Sequence, residues 1–186
     1  MPLLRDGINE VIATTKMNAA PIGIISRAGK IRMILYRGSH TVENIARDGW
    51  VVANFTFDPV VWVTTAFCDL PAESFVEEVA DGTRVQRLAS VEAWAAFRAT
   101  PGRRTRDTLV VELALLREES PRVMLHPVNR GWNSLLEATI HGTRYRMKKD
   151  DRLADLIEYH AGIVKKCGGP REIEALGLLF DYSGYP

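Results

Sequence analysis

The sequence predicts a mainly β protein, in which a Greek-key-like barrel precedes a C-terminal appendage of three helices. Short β-prone runs separated by turn residues fill the first two thirds of the chain, whereas apolar residues recur at helical spacing in the last third. Strands and helices do not alternate as in a Rossmann fold, and the sequence has no repeat of solenoid length. We therefore predict a barrel domain at residues 1–127 and a helical domain at residues 128–186.

The barrel begins with three strands joined by short turns, and a helix of one or two turns follows them. Turn residues separate the β-prone runs at residues 8–15, 21–26 and 30–36. Ser39 or Thr41 can cap the helix, and Gly49 can end it.

The second half of the barrel is predicted from apolar runs and turn residues. It comprises core strands at residues 50–57 and 60–67, a strand at 83–88, a helix at 90–98, an exposed loop at 101–107, and a strand pair at 107–117 and 122–128. Asp58 and Pro59 form the predicted turn between the two core strands.

Helical spacing and cap residues define the three C-terminal helices. Asn133 is the predicted cap of the first, which reaches Arg146. The second covers residues 150–166, and Pro170 begins the third.

Composition excludes several classes of function. With 24 Lys and Arg against 23 Asp and Glu, the formal net charge is +1, so no global charge favours nucleic acid or an anionic membrane. Arg103, Arg104 and Arg106 are concentrated in one loop, which is more often a solvated feature than a nucleic-acid surface. Cys68 and Cys167 are read as reduced thiols, and no apolar run approaches a membrane span, so we expect a cytoplasmic protein.

The turn before the short helix offers groups that a phosphate requires. Gly38 permits close backbone approach, and Ser39 and Thr41 offer hydroxyl groups at a helix N-terminus. Arg37 and His40 can add positive charge. Taken alone, the segment is more often an ordinary helix cap.

A second polar group lies where the first strand ends. Thr14, Thr15 and Lys16 end the strand, and Asn18 lies in the following turn. The rims of small barrels are frequent ligand sites. The alternative is that Thr favours strands and Asn favours turns for local reasons alone.

The first C-terminal helix carries two further candidates. Glu137 and His141 are four residues apart, but two ligands without a third do not make a metal site, so we predict none. Asn129, Arg130, Thr143 and Arg144 lie where the barrel gives way to the helices, a preferred position for a pocket; the alternative is that both arginines pair with acidic side chains.

These four residues cannot share one pocket along an unbroken helix. The pairs Asn129–Arg130 and Thr143–Arg144 would be about 20 Å apart on such a helix. A shared pocket requires a dimer interface or a break in the helix, for which Gly142 is the candidate position.

Common catalytic motifs are absent from the sequence, but four other motifs occur in a recognisable order. There is no G-x-S-x-G elbow, Walker loop or G-x-G-x-x-G turn. The motifs are A-T-T-K-x-N-x-x-P-x-G-I at residues 13–24, Y-R-G-S-x-T-x-x-N at 36–44, V-x-N-x-T-x-D at 52–58, and N-R-G-x-x-x-x-L-E-A-x-I-H-x-T-R at 129–144. Together they resemble the domain-of-unknown-function family 447, which is similar to the FMN-binding split barrels.

The resemblance implies a flavin-binding split barrel at residues 1–127 and a homodimer with FMN near the subunit interface. It implies phosphate or ribityl contacts for Ser39, Thr41 and Asn44, and contacts to the edge of the flavin ring for Thr14, Thr15 and Asn18. The relatives include pyridoxamine-phosphate oxidases, but PIGIIS lacks the Arg and Lys that these oxidases use for phosphate.

The function that the resemblance implies is an FMN-dependent oxidoreductase acting on a small soluble substrate, beside methanopterin-linked one-carbon metabolism. With the flavin in the barrel, we expect Asn129, Arg130, Thr143 and Arg144 to lie near it and face the substrate. The alternative is a non-catalytic flavin-binding or assembly protein.

Overall fold

The computed structural model describes residues 2–120 and 124–185, which divide into two compact units. The first unit is formed by Met1–Thr56 and Leu70–Met124, and the second by Phe57–Asp69 and Leu125–Pro186. The main boundary therefore lies three residues before the predicted one, and the sequence analysis did not place the segment from Phe57 to Asp69 with the C-terminal helices.

Six strands of the first unit close into an antiparallel barrel in the order β1-β2-β3-β8-β7-β4, and β5 and β6 form a separate two-stranded sheet. The predicted mainly β barrel, followed by helices, is confirmed. The elements of this unit are β1 (Gly7–Thr15), β2 (Asn18–Arg27), β3 (Lys30–Tyr36), α1 (His40–Asp48), β4 (Trp50–Phe55), β5 (Phe75–Ala80), β6 (Thr83–Leu88), β7 (Ala93–Arg104) and β8 (Thr108–Glu119).

Tight turns and alternating burial shape the first three strands. Ala28 and Gly29 both have positive φ, 49° and 74°, which suits a two-residue hairpin turn between β2 and β3. Met33 and Leu35 of β3 are buried, whereas Ile34 between them is exposed. The inward side chains of the barrel strands therefore form one apolar core, as period-two alternation requires.

Residues 60–67 form a helix, α2 (Pro59–Phe67), and the predicted strand there is wrong. The Asp58 carboxylate accepts hydrogen bonds from the backbone N–H groups of Val60 and Val61, at 2.9 and 3.4 Å. Pro59 occupies the first helical turn, where its missing N–H costs nothing. The predicted turn at Asp58 and Pro59 is therefore wrong, because these two residues begin helix α2.

Residues 93–104 form strand β7, so the predicted helix at 90–98 is wrong and residues 101–104 of the predicted loop belong to the strand. Ala95 and Phe97 face the barrel core, whereas Trp94 and Ala96 belong to a second apolar cluster. Because both faces of the strand are buried, its sequence shows no alternation.

The last part of the barrel was predicted only in part. The strand at 107–117 is confirmed as β8, but its partners are β3 and β7. Residues 124–128 form no strand, and residues 122 and 123 lie outside the described residues. Strand β5 was not predicted.

The second unit is helical and contains α2, α3 (Arg130–Lys148), α4 (Asp151–Cys167) and α5 (Pro170–Ser183). The three predicted C-terminal helices are present, but α3 begins earlier than predicted and is capped by Asn129, not Asn133. Val63 of α2 packs with Leu135 and Leu179 in the core of this unit. None of the described helices combines the length and apolar character needed to cross a membrane.

Candidate functional site

A hydrogen-bonded polar cluster joins the β1–β2 hairpin to helix α1. The Asn18 side-chain amide donates to the Thr41 hydroxyl at 3.1 Å, and the Asn44 amide donates to the Thr15 hydroxyl at 3.0 Å. We call these four residues, Thr15, Asn18, Thr41 and Asn44, the rim cluster. The structure therefore brings together residues that the sequence analysis had placed in two separate motifs.

The first turn of α1 explains how two of these side chains reach the hairpin. Gly38 has φ 81°, a left-handed conformation that favours glycine, and the chain then enters the helix at Ser39. The Ser39 hydroxyl accepts from the backbone N–H of Val42 at 3.4 Å, so it acts as the helix cap. Thr41 and Asn44 are three residues apart and share the helix face toward the hairpin.

Two hydroxyl protons of the rim cluster remain available. Thr15 and Thr41 accept hydrogen bonds from the two asparagines, and neither hydroxyl donates to an acceptor among residues 2–120 and 124–185. Both threonines are buried, at 1% and 3% exposure. Buried hydroxyl donors beside the N-terminus of a helix suit the oxygen atoms of a phosphate or a carbonyl group.

Arg47 fixes the orientation of Asn44. Its guanidinium donates to the Asn44 side-chain oxygen at 2.9 Å, while the Asn44 amide also donates to the Lys16 carbonyl at 3.3 Å. Arg47 also pairs with Asp48, and this hydrogen bond lowers the pKa of the Asp48 carboxyl. Asp48 therefore stays ionised, and Arg47 balances its negative charge, which reduces the repulsion between Asp48 and a bound anion.

Thr14 belongs to a different network. Its hydroxyl donates to the Gln86 carbonyl at 2.6 Å and accepts from the Asn54 amide at 3.0 Å. The Asn54 side-chain oxygen in turn accepts from the N–H of Leu88 at 2.9 Å. The Thr14 hydroxyl is thus engaged within the protein, and its expected contact with the ring edge stays a prediction.

The sequence analysis quoted Asn54 only as the N of the motif V-x-N-x-T-x-D, and it gave neither Asn54 nor Gln86 a role in a site. Asn54 is fully buried in β4, where it is a polar residue within the apolar run WVVANF. That interruption and the motif at residues 52–58 were the available signals, and neither revealed the role of Asn54, because its partners on β1 and β6 are far away in the sequence.

The four residues predicted to line a pocket on α3 are not brought together within one chain. Helix α3 is continuous through Gly142, so the break that a shared pocket within one chain would require is not present, and the two pairs are about 20 Å apart. Asn129 caps the helix by accepting from the N–H of Gly131 at 2.7 Å, and the Thr143 hydroxyl donates to the Ile140 carbonyl at 2.9 Å.

Arg130 and Arg144 are exposed, and neither forms an ion pair within the described part of the chain, so the pairing with acidic side chains that was the alternative is not observed. The expected pocket role of Asn129, Arg130, Thr143 and Arg144 stays a prediction.

Helices α3 and α4 hold a pair of histidines. The ring centroids of His141 and His160 are 5.6 Å apart, and the buried Nδ1 atom of each ring has no hydrogen-bond partner among the described residues. Burial lowers the pKa of His141, and the neighbouring His160 adds to this effect, whereas Glu137 opposes it. The lowered pKa favours the neutral imidazole form of His141.

The family described as protein of unknown function (DUF447) matches most of the chain in two parts. Its N-terminal domain matches residues 9–122, and its C-terminal domain matches residues 129–181. Six residues, 123–128, separate the two matches, and they belong to the segment between β8 and α3.

Solved structures extend this similarity. An FMN-bound protein from Methanosarcina mazei, assigned to the same family, is 34% identical to this chain with a TM-score of 0.90, over 96% of both chains. An FMN-binding protein from Thermus thermophilus with bound 1-cyclohex-2-enone has a TM-score of 0.52 and 8% identity, covering 63% of this chain and 72% of that chain.

The flavin reductase HpaC complexed with NADP+ is similar at the same level. Its TM-score is 0.51 at 13% identity, covering 64% of this chain and 83% of that chain. At such low identity, the last two structures establish the split-barrel fold alone.

Proposed function

Because the chain belongs to the DUF447 family, and an FMN-bound member of that family is 34% identical to it over 96% of its length, we propose that this protein binds FMN at the rim cluster. The observation that carries the proposal is the pair of buried hydroxyl groups, Thr15 and Thr41, whose protons have no acceptor among the described residues. Thr41 lies in the first turn of α1, where the helix dipole favours an anion.

The side chains present fit the polar parts of FMN. A phosphate requires several converging donors, and the Thr41 hydroxyl and the first turn of α1 supply them near Ser39. A flavin ring presents carbonyl oxygens and ring nitrogens along one edge, which the Thr15 hydroxyl and the Asn18 amide group can bind. Arg47 keeps Asn44 in the orientation in which its amide donates to Thr15, so the Thr15 hydroxyl proton stays available to a ligand.

We propose further that the bound flavin makes the protein an oxidoreductase for a small soluble substrate. When bound, FMN supplies the electron-transfer chemistry, and the protein binds and orients it. This assignment explains why the sequence contains no familiar catalytic constellation. The placement beside methanopterin-linked one-carbon metabolism stays a prediction.

The first test is the visible spectrum of the purified protein and a titration with FMN. Replacing Ser39 and Thr41 together by Ala should weaken FMN binding by about 1–3 kcal/mol for each lost hydrogen bond to the phosphate. Ser90→Ala is the matched control, because Ser90 is exposed and belongs to no described hydrogen bond. Unchanged affinity in a folded double variant would contradict the phosphate assignment.

We expect FMN to bind in preference to FAD. The turn at Gly38 and Ser39 forms one compact cradle, and the sequence has no second glycine-rich turn for a pyrophosphate. Competition between the two flavins measures this preference, and equal retention of FAD would contradict it.

Turnover is tested by anaerobic mixing with NADH or NADPH, followed by addition of electron acceptors. An oxidoreductase should exchange electrons faster than free FMN does under the same conditions. If its rates equal those of free FMN, the alternative of a non-catalytic flavin-binding or assembly protein is favoured.

We propose that two copies associate through an exposed face of the barrel. The apolar runs at 50–57 and 60–67 would be candidates for the interface if both were exposed strands, but β4 is buried and α2 is a helix, so they do not provide it. The exposed apolar face instead contains Ile8, Ile34 and Tyr36, which are 61%, 49% and 73% exposed. These side chains lie on β1 and β3, on either side of β2, and exposed apolar side chains on one sheet favour association with a second copy.

A further inference from the structure

We propose that the tip of the β7–β8 hairpin supplies the positive charge that selects FMN over unphosphorylated flavin. The tip carries Arg103, Arg104 and Arg106, which we call the arginine tip. The inference rests on the proposed FMN site and adds to it the group that recognises the phosphate. None of these three arginines belongs to the proposed FMN site described above.

Hydrogen bonds hold the arginine tip beside the turn that precedes α1. The backbone N–H of Arg37 donates to the Asp107 carbonyl at 3.0 Å. The Arg37 guanidinium donates to the carbonyls of Thr105 and Arg106, at 3.5 and 3.3 Å. Since Ser39 is only two residues beyond Arg37, the tip and the proposed phosphate cradle are neighbours.

The turn at the end of the hairpin is well defined. The Thr105 hydroxyl accepts from the backbone N–H of Thr108 at 3.0 Å, and the Thr105 N–H donates to the Thr108 carbonyl at 2.9 Å. These bonds and the Arg37 contacts fix the backbone that carries the arginines. A fixed backbone reduces the entropy lost when the arginines engage a ligand.

The rim cluster needs this charge because its own groups are neutral. A phosphate monoester carries about 1.5–2 negative charges at pH 7. Serine, threonine and asparagine donate hydrogen bonds but cannot neutralise that charge, and Arg37 already directs its guanidinium to two backbone carbonyls. The arginine tip, which is hydrogen-bonded to the turn that precedes α1, supplies several positive charges.

The three arginines are available for this role. All are exposed, and none forms an ion pair within residues 2–120 and 124–185. Asp107 is the only acidic residue between positions 99 and 111. Guanidinium groups suit phosphate oxygens because their donors form a planar fork.

A phosphate monoester accounts for these observations better than a nucleic acid does. The chain as a whole has a net charge of only +1, so it lacks the extended basic surface that binds a nucleic-acid backbone. The arginine tip is confined to one hairpin turn, and it is hydrogen-bonded to the turn that precedes α1.

The test compares FMN with riboflavin, which has the same ring and ribityl chain but no phosphate. Dissociation constants are measured by flavin fluorescence for the full-length protein and for the triple variant Arg103→Gln, Arg104→Gln and Arg106→Gln. We expect FMN binding to weaken by at least about tenfold, while riboflavin binding changes by less than about twofold. The salt dependence of FMN binding should also become weaker.

Arg98→Gln is the matched control, because Arg98 is an exposed arginine on the same strand and lies away from the tip. It should leave the ratio of the two affinities unchanged. The single variant Arg106→Gln provides a milder change if circular dichroism shows that the triple variant is misfolded.

The outcomes separate this inference from the proposed function. An unchanged ratio of FMN to riboflavin affinity, or an equal loss of both, would overturn the role of the arginine tip while leaving the flavin site intact. Failure of the wild-type protein to bind either flavin would instead overturn the proposed function.

Discussion

At the scale of single residues, Asn54 has the widest influence on the first unit. Its amide donates to the Ile12 carbonyl at 2.8 Å and to Thr14, and its oxygen accepts from the N–H of Leu88. One fully buried side chain therefore connects β4 with β1 and with β6. Such a group is costly to remove, because its partners then remain buried without hydrogen bonds.

We predict that Asn54→Leu lowers the free energy of unfolding by about 2–4 kcal/mol, since leucine fills the volume but leaves polar partners unsatisfied. Urea denaturation followed by tryptophan fluorescence measures the change. Asn133→Ala, at an exposed position of α3, should change the same quantity by less than about 0.5 kcal/mol. A similar loss in both variants would contradict the structural role of Asn54.

His141 makes the stability of the second unit depend on pH. Burial and the neighbouring His160 lower its pKa from the ordinary value of 6.5, with Arg144 acting in the same direction and Glu137 against it. Between the lowered pKa of His141 in the folded chain and its ordinary pKa in the unfolded chain, the unfolded chain binds more protons than the folded chain. The contribution of His141 to the free energy of unfolding is therefore fully present above pH 6.5, and it is lost as the pH falls toward the lowered pKa.

We predict that His141→Gln reduces the loss of stability between about pH 8 and pH 5, because glutamine has no proton to gain. Thermal unfolding at several pH values measures this slope. His40→Gln, at an exposed position of α1, is the control and should leave the slope as in the wild type. An unaltered slope in His141→Gln would show that other groups control the acid sensitivity.

At the scale of elements, the closest approach in the second unit is between α3 and the link from α4 to α5. A Cβ atom at Gly131 would lie 2.4 Å from the backbone nitrogen of Gly168 and 2.5 Å from its Cα atom. Backbone atoms cannot yield as a flexible side chain can, so the start of α3 must move when Gly131 is replaced.

We predict that Gly131→Ala destabilises the protein by about 1–3 kcal/mol, because the added methyl group overpacks a backbone contact. Gly162→Ala is the matched control within α4, since nothing lies within 4 Å of its Cβ position. It should instead stabilise the protein by about 0.5–1 kcal/mol through helix propensity. Chemical denaturation measures both changes, and equal effects would contradict the packing argument.

The elements differ in how far the sequence could predict them. Strands β1 and β3 and helix α1 have clear turns and caps, and they were predicted with nearly correct bounds. Strand β2 begins three residues earlier than predicted, so Asn18 is its first residue, and its predicted place in the turn is wrong. Helix α2 was missed because its valines and threonines favour strands, whereas a cap from Asp58 and burial in the helical unit decide its conformation. Strand β7 was missed because burial on both faces conceals the alternation.

The candidate site shows the same limit. Residues near each other in sequence, such as Ser39 and Thr41, could be grouped from the motif that contains them. The contact between Asn18 and Thr41 joins residues 23 positions apart, and that between Asn44 and Thr15 joins residues 29 apart. Only the closed barrel determines which of these distant side chains meet.

At the scale of the whole molecule, the exposed sheet face predicts the state of association. The strand register places Ile34 opposite Val110 and Ile8 opposite Ile25, so the apolar side chains extend across four strands. Glu112 and Arg32 are paired in the same register and can match charges with a second copy related by a twofold axis.

We predict that Ile34→Lys converts a dimer into a monomer, because a charge would be buried at the centre of the interface. Sedimentation velocity at micromolar concentration measures this. Val79→Lys is the control, since Val79 is 53% exposed on the separate sheet of β5 and β6. A wild-type protein that sediments as a monomer would contradict the interface, as would dissociation caused equally by both variants.

The division of the second unit into two stretches of sequence has a consequence for protein synthesis. Helix α2 leaves the ribosome long before α3 to α5, whose side chains cover Val63. At about 5–20 residues per second, roughly 6–23 s separate the end of α2 from the end of α5. During that interval the helices that bury the apolar face of α2 have not yet been synthesised. This face of the nascent chain is therefore available for binding by a ribosome-associated chaperone.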